Sequence, residues 1–283
     1  MRFEKWQALG NDYIVLEEEA LPFELTPGRI AAICEPHLGC HSDGILLLSR
    51  PEDSAAHVAK LRIFNPDGSE AGLSGNGARE AILYLRRSGW TDRDEFTVLT
   101  AAGEITPVIT GSDTARVAMA QATTISEDFP GGPDDGRGTI HVGGSQREFQ
   151  HVGVGNPQCA IEIADIKELE GLDLTAIGPA IESAVIFPNR TNVSFWNATG
   201  STVRARIFER GVGETLSSGT GATGAAVAAH LRGAESPITV VLDGGELEVE
   251  IGPNLQIVLT GTAEPVFSGQ FSAELLGRLD ALR

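Results

Sequence analysis

The feature that most constrains how this 283-residue chain can fold is a long-range internal repeat. The stretch "RIFNPDGSEAGLSGNGAREA" begins at Arg62, and "RIFERGVGETLSSGTGATGA" begins 144 positions later at Arg206. Arg-Ile-Phe, Glu70/Glu214, Ser74/Ser218, Gly75/Gly219, Gly77/Gly221, Ala78/Ala222 and Ala81/Ala225 all coincide. The flanks follow at nearly the same spacing, with "LGN" ending at Asn11 over "VGN" ending at Asn156, and "TVLTAAGE" from Thr97 over "TVVLDGGE" from Thr239. Self-similarity at this distance predicts two matched halves. We place them at residues 1–122 with 266–283, and at 123–265. The segment "EDFPGGPDDGRG" (127–138), rich in Gly, Pro and Asp, reads as the loop-like divide.

Within each half, alternating apolar and polar residues at Lys60–Phe64, Val203–Phe208 and Glu246–Ile251 predict strands. Helical patterns are few. The clearest two start after the glycine-rich turns, at "NGAREAILYLRRSG" and "TGATGAAVAAHLRG", and each closes on Arg followed by Gly, a C-terminal signal. The second is almost entirely small and apolar, so it has to be covered on every side. The expected fold is therefore α+β: two pseudo-symmetric domains, each a curved, mainly antiparallel sheet or barrel around one central helix.

Composition excludes several function classes. A formal charge of −18 would repel nucleic-acid phosphates and anionic lipid, so neither is an expected partner. Cys34, Cys40 and Cys159 are odd in number and lack metal-ligand spacing, which suits a reducing compartment and predicts no metal site. The start "MRFEKWQALGNDYIV" carries charges where a signal peptide needs an apolar core, so the expected location is cytoplasmic.

A helix start preceded by a glycine-rich turn presents unpaired N–H groups and the positive end of a dipole, which together attract a carboxylate or phosphate. Two such starts, each opened by a hydroxyl at Ser74 or Ser218, would suit inversion at a carbon if both address one ligand: one group removes a proton and the other delivers one to the opposite face. Asn11, Asn65, Asn156, Asn192, Glu209 and Arg210 supply polar groups of the kind that hold an amino acid. Glu70 and Glu214, four residues before each serine, read as braces of the loop.

These motifs resemble the diaminopimelate epimerase family along nearly the whole chain. The resemblance rests on "LGNDYIV" (9–15), "HLGCHSDGILL" (37–47), "RIFNPDGSEAGLSGNGAR" (62–79), "GVGNPQCAI" (153–161), "RTNVSF" (190–195) and "ERGVGETLSSGTGATGAA" (209–226), in the family's order. It implies a cofactor-independent epimerase acting on one α-carbon of 2,6-diaminopimelate in lysine and cell-wall precursor synthesis, with no metal, assembled as a homodimer. It further implies that Asn11, Asn65, Asn156, Asn192, Glu209 and Arg210 hold the distal and α-amino groups. Gly75 with Asn76, and Gly219 with Thr220, would bind the reacting carboxylate. The family's catalytic pair is two cysteines, whereas this chain has Ser74 and Ser218 at those positions. Gln158 stands where the family usually has a histidine that tunes a thiol together with the residue at Glu209.

The exchange of sulfur for oxygen is large in energy. A thiol titrates near ~8.5 and a hydroxyl resembles water at about 15.7, a gap of about 10 kcal/mol at ~1.36 per unit. A helix N-terminus returns at most about 2 kcal/mol. Neither serine is therefore a free alkoxide at neutral pH, and the two-thiol mechanism needs a different base, for which Glu209 is a candidate. Two alternatives keep the fold: an isomerase or dehydratase using a carboxylate or a single acid-base group, and an amino-acid-binding homologue without turnover. As isolated features, the serines would be plain helix N-caps.

Overall fold

In the computed structural model, which describes residues 1–142 and 144–282, the chain divides into two compact units, 1–117 with 261–283, and 118–260. The elements in chain order are β1 (Arg2–Ala8), β2 (Asn11–Glu17), α1 (Pro27–Cys34), β3 (Ile45–Ser49), β4 (Ala59–Phe64), β5 (Glu70–Ala71), α2 (Gly75–Arg87), β6 (Val98–Thr100), β7 (Gly103–Ile105), β8 (Val108–Ile109) and β9 (Thr114–Ala118). They continue with β10 (Arg137–Val142), β11 (Ser145–Gly153), β12 (Pro157–Glu162), α3 (Ile166–Glu170), α4 (Leu174–Glu182), β13 (Asn192–Thr199), β14 (Thr202–Glu209), β15 (Gly213–Thr215) and α5 (Gly219–His230). Last come β16 (Ile238–Leu242), β17 (Gly245–Ile251), β18 (Ile257–Thr262), β19 (Glu264–Gln270) and α6 (Ala273–Ala281).

The first unit is a sheet in the order β19-β1-β2-β3-β4-β6-β7, with β5 hydrogen-bonded to β4. Strand β2 shows how the sheet is packed. Its side chains alternate between faces. Tyr13 and Val15 join Leu46, Leu48 and the α2 residues Ala78, Ala81 and Ile82 on one side, while Ile14 and Leu16 join Ile45, Leu47 and the α1 residues Ile30 and Ile33 on the other. A strand buried on both faces needs a continuous apolar run, and "YIVL" supplies it. The returning strand β19 pairs antiparallel with β1, Arg2 opposite Gln270.

The second unit holds strands β10 to β18, and α5 touches β11, β12, β13, β14, β16 and β17. Strands lie about 4.8 Å apart and a helix with its side chains is about 10 Å across, so a flat sheet could not bring six strands to one helix. The sheet curves around α5. Ten of the twelve α5 residues are buried, which explains why the segment can consist almost wholly of Gly, Ala, Thr and Val. The other face of this sheet packs on α3 and α4 through Leu169, Leu174 and Ile181.

The repeat read from the sequence is also a repeat of register. In the first unit Ile63 pairs with Ala71 and Phe64 with Glu70; in the second Ile207 pairs with Thr215 and Phe208 with Glu214, each 144 positions on. The α+β expectation with a central helix is met. The segment 127–138 does not divide the halves: it lies inside the second unit, where Phe129 packs on Phe149 and Phe187. Among the described residues, no helix is long and apolar enough to cross a membrane.

Candidate functional site

Each unit presents a serine at the start of its central helix. Ser218, with extended backbone (φ −142°, ψ 120°), caps α5 by accepting the N–H of Gly221 at 3.2 Å. Ser74 (φ −124°, ψ 125°) caps α2 in the same way through Gly77 at 3.1 Å. The N-cap reading is thus correct for both serines, and each cap satisfies one of the exposed donors of its first turn. The N–H groups of Gly219 and Thr220, and of Gly75 and Asn76, stay outside the helical ladder and carry the dipole's positive end. Space at the capped position is tight. A Cβ on Gly77 would lie 2.9 Å from Leu46 Cδ2, and one on Gly221 would lie 2.7 Å from Ile207 Cδ1.

In the second unit, Ser218 Oγ donates to Glu209 Oε2 at 3.1 Å. Glu209 ends β14, whose hairpin to β15 turns the chain back toward α5. Gln158 Nε2 donates to Asn156 Oδ1 at 2.6 Å, and Asn156 Nδ2 donates to Thr220 Oγ1 at 3.3 Å. Gln158 is fully buried against the helix, where a Cβ on Gly224 would meet its Cβ at 2.8 Å. An amide at this position cannot titrate; its visible work is to orient Asn156. Asn192 accepts the backbone N–H of Arg210 at 2.8 Å, and the Arg210 guanidinium donates to the carbonyl of Asn189 at 2.7 Å. Glu182, absent from the sequence-derived site, ties this region together by accepting Gly211 N–H at 2.7 Å and pairing with Arg190.

In the first unit a directed chain of amides runs from a buried cation to an anion. Arg79 Nη2 donates to Asn76 Oδ1 at 2.7 Å, Asn76 Nδ2 to Asn11 Oδ1 at 3.2 Å, and Asn11 Nδ2 to Asp43 Oδ2 at 2.7 Å. Each donor faces one acceptor, so both amide orientations are set by charges at the two ends. Arg79 is fully buried and also donates to Gly75 O at 3.0 Å; burial pulls its guanidinium down to about 10. Burial likewise pushes the neighbouring Glu80 carboxyl well above the ordinary carboxylate range. Sequence reasoning missed Arg79 and Asp43, although both lie inside the motifs "GNGAR" and "HSDGILL". Asn65 is not joined to this chain: its side chain donates to Ser69 Oγ at 2.9 Å, inside the tight turn at Gly68.

Glu70 and Glu214 are braces, as expected. Arg62 grips Glu70 with two bonds of 3.0 and 2.8 Å, and Arg206 holds Glu214 at 2.5 Å. None of the cysteines substitutes for a catalytic thiolate. Burial pushes Cys34 up to about 11, raises Cys40, and drives the fully enclosed Cys159 higher still. Among the described residues, no group of three or more His, Cys, Asp or Glu side chains is arranged to hold a metal ion.

Comparison with known proteins gives a family and a fold. The diaminopimelate epimerase family model matches residues 3–125 and 150–266. "Diaminopimelate epimerase 2" of Nostoc sp. is 38% identical over 281 residues, covering 97% of this chain and 97% of that protein. The diaminopimelate epimerase of Pelotomaculum thermopropionicum is 36% identical over 282 residues, covering 96% and 99%. Two solved structures share the fold at low identity. A hydroxyproline epimerase from Agrobacterium vitis has a TM-score of 0.65 at 16% identity, covering 96% of this chain and 92% of that one. A phenazine biosynthesis protein of the PhzF family from Bacillus anthracis has a TM-score of 0.66 at 16% identity, covering 96% and 99%. On the family match and the near-complete alignment with its relatives, this chain belongs to the diaminopimelate epimerase family.

Proposed function

We propose that the protein is a cofactor-independent amino-acid epimerase that interconverts LL- and meso-2,6-diaminopimelate, with Ser74 and Ser218 in the positions of the proton-transferring groups. The observation that carries this reading is the Ser218–Glu209 hydrogen bond at the start of α5. A serine hydroxyl alone is about 10 kcal/mol too weak an acid to serve as a thiol does. Backed by a carboxylate, the hydroxyl never has to become a free alkoxide: as Oγ accepts the α-proton, its own proton passes to Glu209 in the same step. The uncapped N–H groups of Gly219 and Thr220, with those of Gly75 and Asn76, are the groups we assign to the substrate's reacting carboxylate. There they would also stabilise the negative charge that spreads onto it once the α-proton leaves. Asn11, Asn65, Asn156, Asn192, Glu209 and Arg210 are assigned to the amino groups and the distal end, with Gln158 holding Asn156 in place.

The reading extends to a place and an assembly. We assign the protein to the cytoplasm, in lysine and peptidoglycan precursor synthesis, acting as a homodimer on a small amino acid. The test is incubation with LL- or meso-diaminopimelate in heavy water. Deuterium at the α-carbon together with the opposite isomer supports the epimerase; binding without exchange identifies a non-catalytic homologue, and no interaction with any isomer removes the substrate assignment. Sedimentation at micromolar concentration tests the dimer.

A further inference from the structure

Arg210, the cation of the second unit assigned to the substrate, is held by a carbonyl and not by an acid. The chain has 39 acidic residues against 21 Lys and Arg. Even so, among the described residues the exposed Arg210 guanidinium forms no ion pair and donates to Asn189 O at 2.7 Å. A cation left without a carboxylate in so acidic a chain is placed for an anion from outside. An exposed arginine has many rotamers, and a carbonyl that fixes one of them sets where such an anion is met.

The Asn189 carbonyl is itself fixed. It belongs to the same peptide as the Arg190 N–H, which donates to Phe187 O at 2.9 Å, and Arg190 has left-handed backbone with φ 61°. Residues other than glycine rarely take that conformation, so contacts around the turn have to hold it. One is the pairing of Arg190 with Glu182. Two more come from neighbouring residues of the segment 127–138: Asp128 Oδ1 accepts Asn189 Nδ2 at 2.9 Å, and the Phe129 ring packs on Phe187 with centroids 5.6 Å apart. Asp128 is anchored in turn, since its N–H donates to Ser126 Oγ at 3.2 Å and that oxygen lies 2.8 Å from Nε2 of the buried His151.

We propose that Asp128 is a positioning residue for substrate recognition, setting through Asn189 the direction in which Arg210 meets the distal carboxylate of the substrate. This rests on the epimerase reading given above. It gives the segment 127–138, which does not divide the halves, a task within the second unit: it buttresses the 187–190 turn behind the binding arginine. Asp128 acts through Asn189 and is assigned no contact with the substrate. The backbone of Arg210 is fixed separately, by its N–H to Asn192 Oδ1 at 2.8 Å and by Gly211 N–H to Glu182 at 2.7 Å. Loss of the Asp128 contact therefore frees the guanidinium and leaves the turn that carries it in place.

Asp128→Ala removes the acceptor from a partly exposed position. With LL-diaminopimelate, KM should rise about three- to tenfold at little-changed kcat, because an unfixed arginine weakens binding of ground and transition states alike. Asp128→Asn, which keeps an acceptor oxygen, should recover most of this loss. The decisive comparison adds Asp128→Ala to Asn189→Ala and to Arg210→Met. In both backgrounds it should leave kcat/KM unaltered, whereas a general structural contribution would lower it by the same factor again. A fall in kcat with KM unchanged, an undiminished effect in the Arg210→Met background, or no effect of Asp128→Ala in the parent overturns the proposal and leaves the epimerase in place. Absence of α-proton exchange by the unaltered protein with every diaminopimelate isomer overturns the epimerase reading, and this inference falls with it.

Discussion

Glu209 Oε2 accepts a hydrogen bond from the Ser218 hydroxyl at 3.1 Å, at the point where β14 ends and the start of α5 comes alongside. A hydroxyl so placed cannot be assigned a role apart from its carboxylate. Replacing Glu209 by Gln preserves size and removes the base, so kcat should fall by about 10²–10⁴-fold, the usual worth of a positioned general base. Because Glu209 is also assigned to the substrate's amino groups, affinity measured by calorimetry should fall as well, and the loss in kcat at saturating substrate is the part that reports on the base. Retained turnover in Glu209→Gln would place the base elsewhere.

Ser218→Cys offers the converse. A thiolate is accessible near neutral pH where an alkoxide is not, and the capping geometry of Oγ suits a sulfur in outline. Exchange of the α-proton should rise by about tenfold or more in this variant, and a Ser74→Cys, Ser218→Cys double variant should rise further. A rate no higher than that of the present chain would show that the hydroxyl–carboxylate pair is not the limiting group.

Arg79 is a buried cation whose loss leaves Asn76 Oδ1 without its donor, while Gly75 O keeps the helical N–H of residue 79. Each buried acceptor stripped of its partner costs about 1–3 kcal/mol. Arg79→Met should accordingly lower stability by about 1–3 kcal/mol, read from urea denaturation, and should raise KM by releasing Asn76 and, through it, Asn11.

His151 supplies a pH dependence. Burial depresses its pKa below the ordinary 6.5, against a smaller upward pull from Asp128, and its Nε2 lies 2.8 Å from Ser126 Oγ. In the unfolded chain the imidazole takes up a proton as pH falls through 6.5, while in the folded chain it stays neutral to lower pH. The unfolded state thus binds more protons in that interval, and stability falls with acidification by at most about 1.4 kcal/mol per pH unit. Urea midpoints between pH 7.5 and 5.5 should decline less for His151→Gln than for the parent.

Much of this arrangement was legible in the sequence because it is written in local chemistry. A serine followed by Gly-x-Gly needs only cap and turn geometry to announce a helix start, and the 144-residue offset carried that inference from Ser74 to Ser218. The pairing of Ser218 with Glu209 was within reach for the same reason, since a hairpin joins them. Asp43 and Glu182 were not. Their roles depend on which strand lies beside which, and no local pattern records that β2 runs parallel to β3, which brings Asp43 next to Asn11. Arg79 was hidden differently: in a helix of alternating polarity, a charged residue reads as solvent-facing, and only the wrapped sheet makes it interior.

In each unit the oxygen that closes the helix's first turn is the same atom proposed to carry the proton. Folding and turnover therefore cannot be separated at position 74 or 218 by truncation. An alanine there removes an acceptor worth about 1 kcal/mol to the helix as well as the reacting group, and its lost activity would be ambiguous. Threonine, which keeps the oxygen and adds a methyl group, is the informative replacement at both sites: it asks whether the pocket tolerates bulk while leaving the first turn closed.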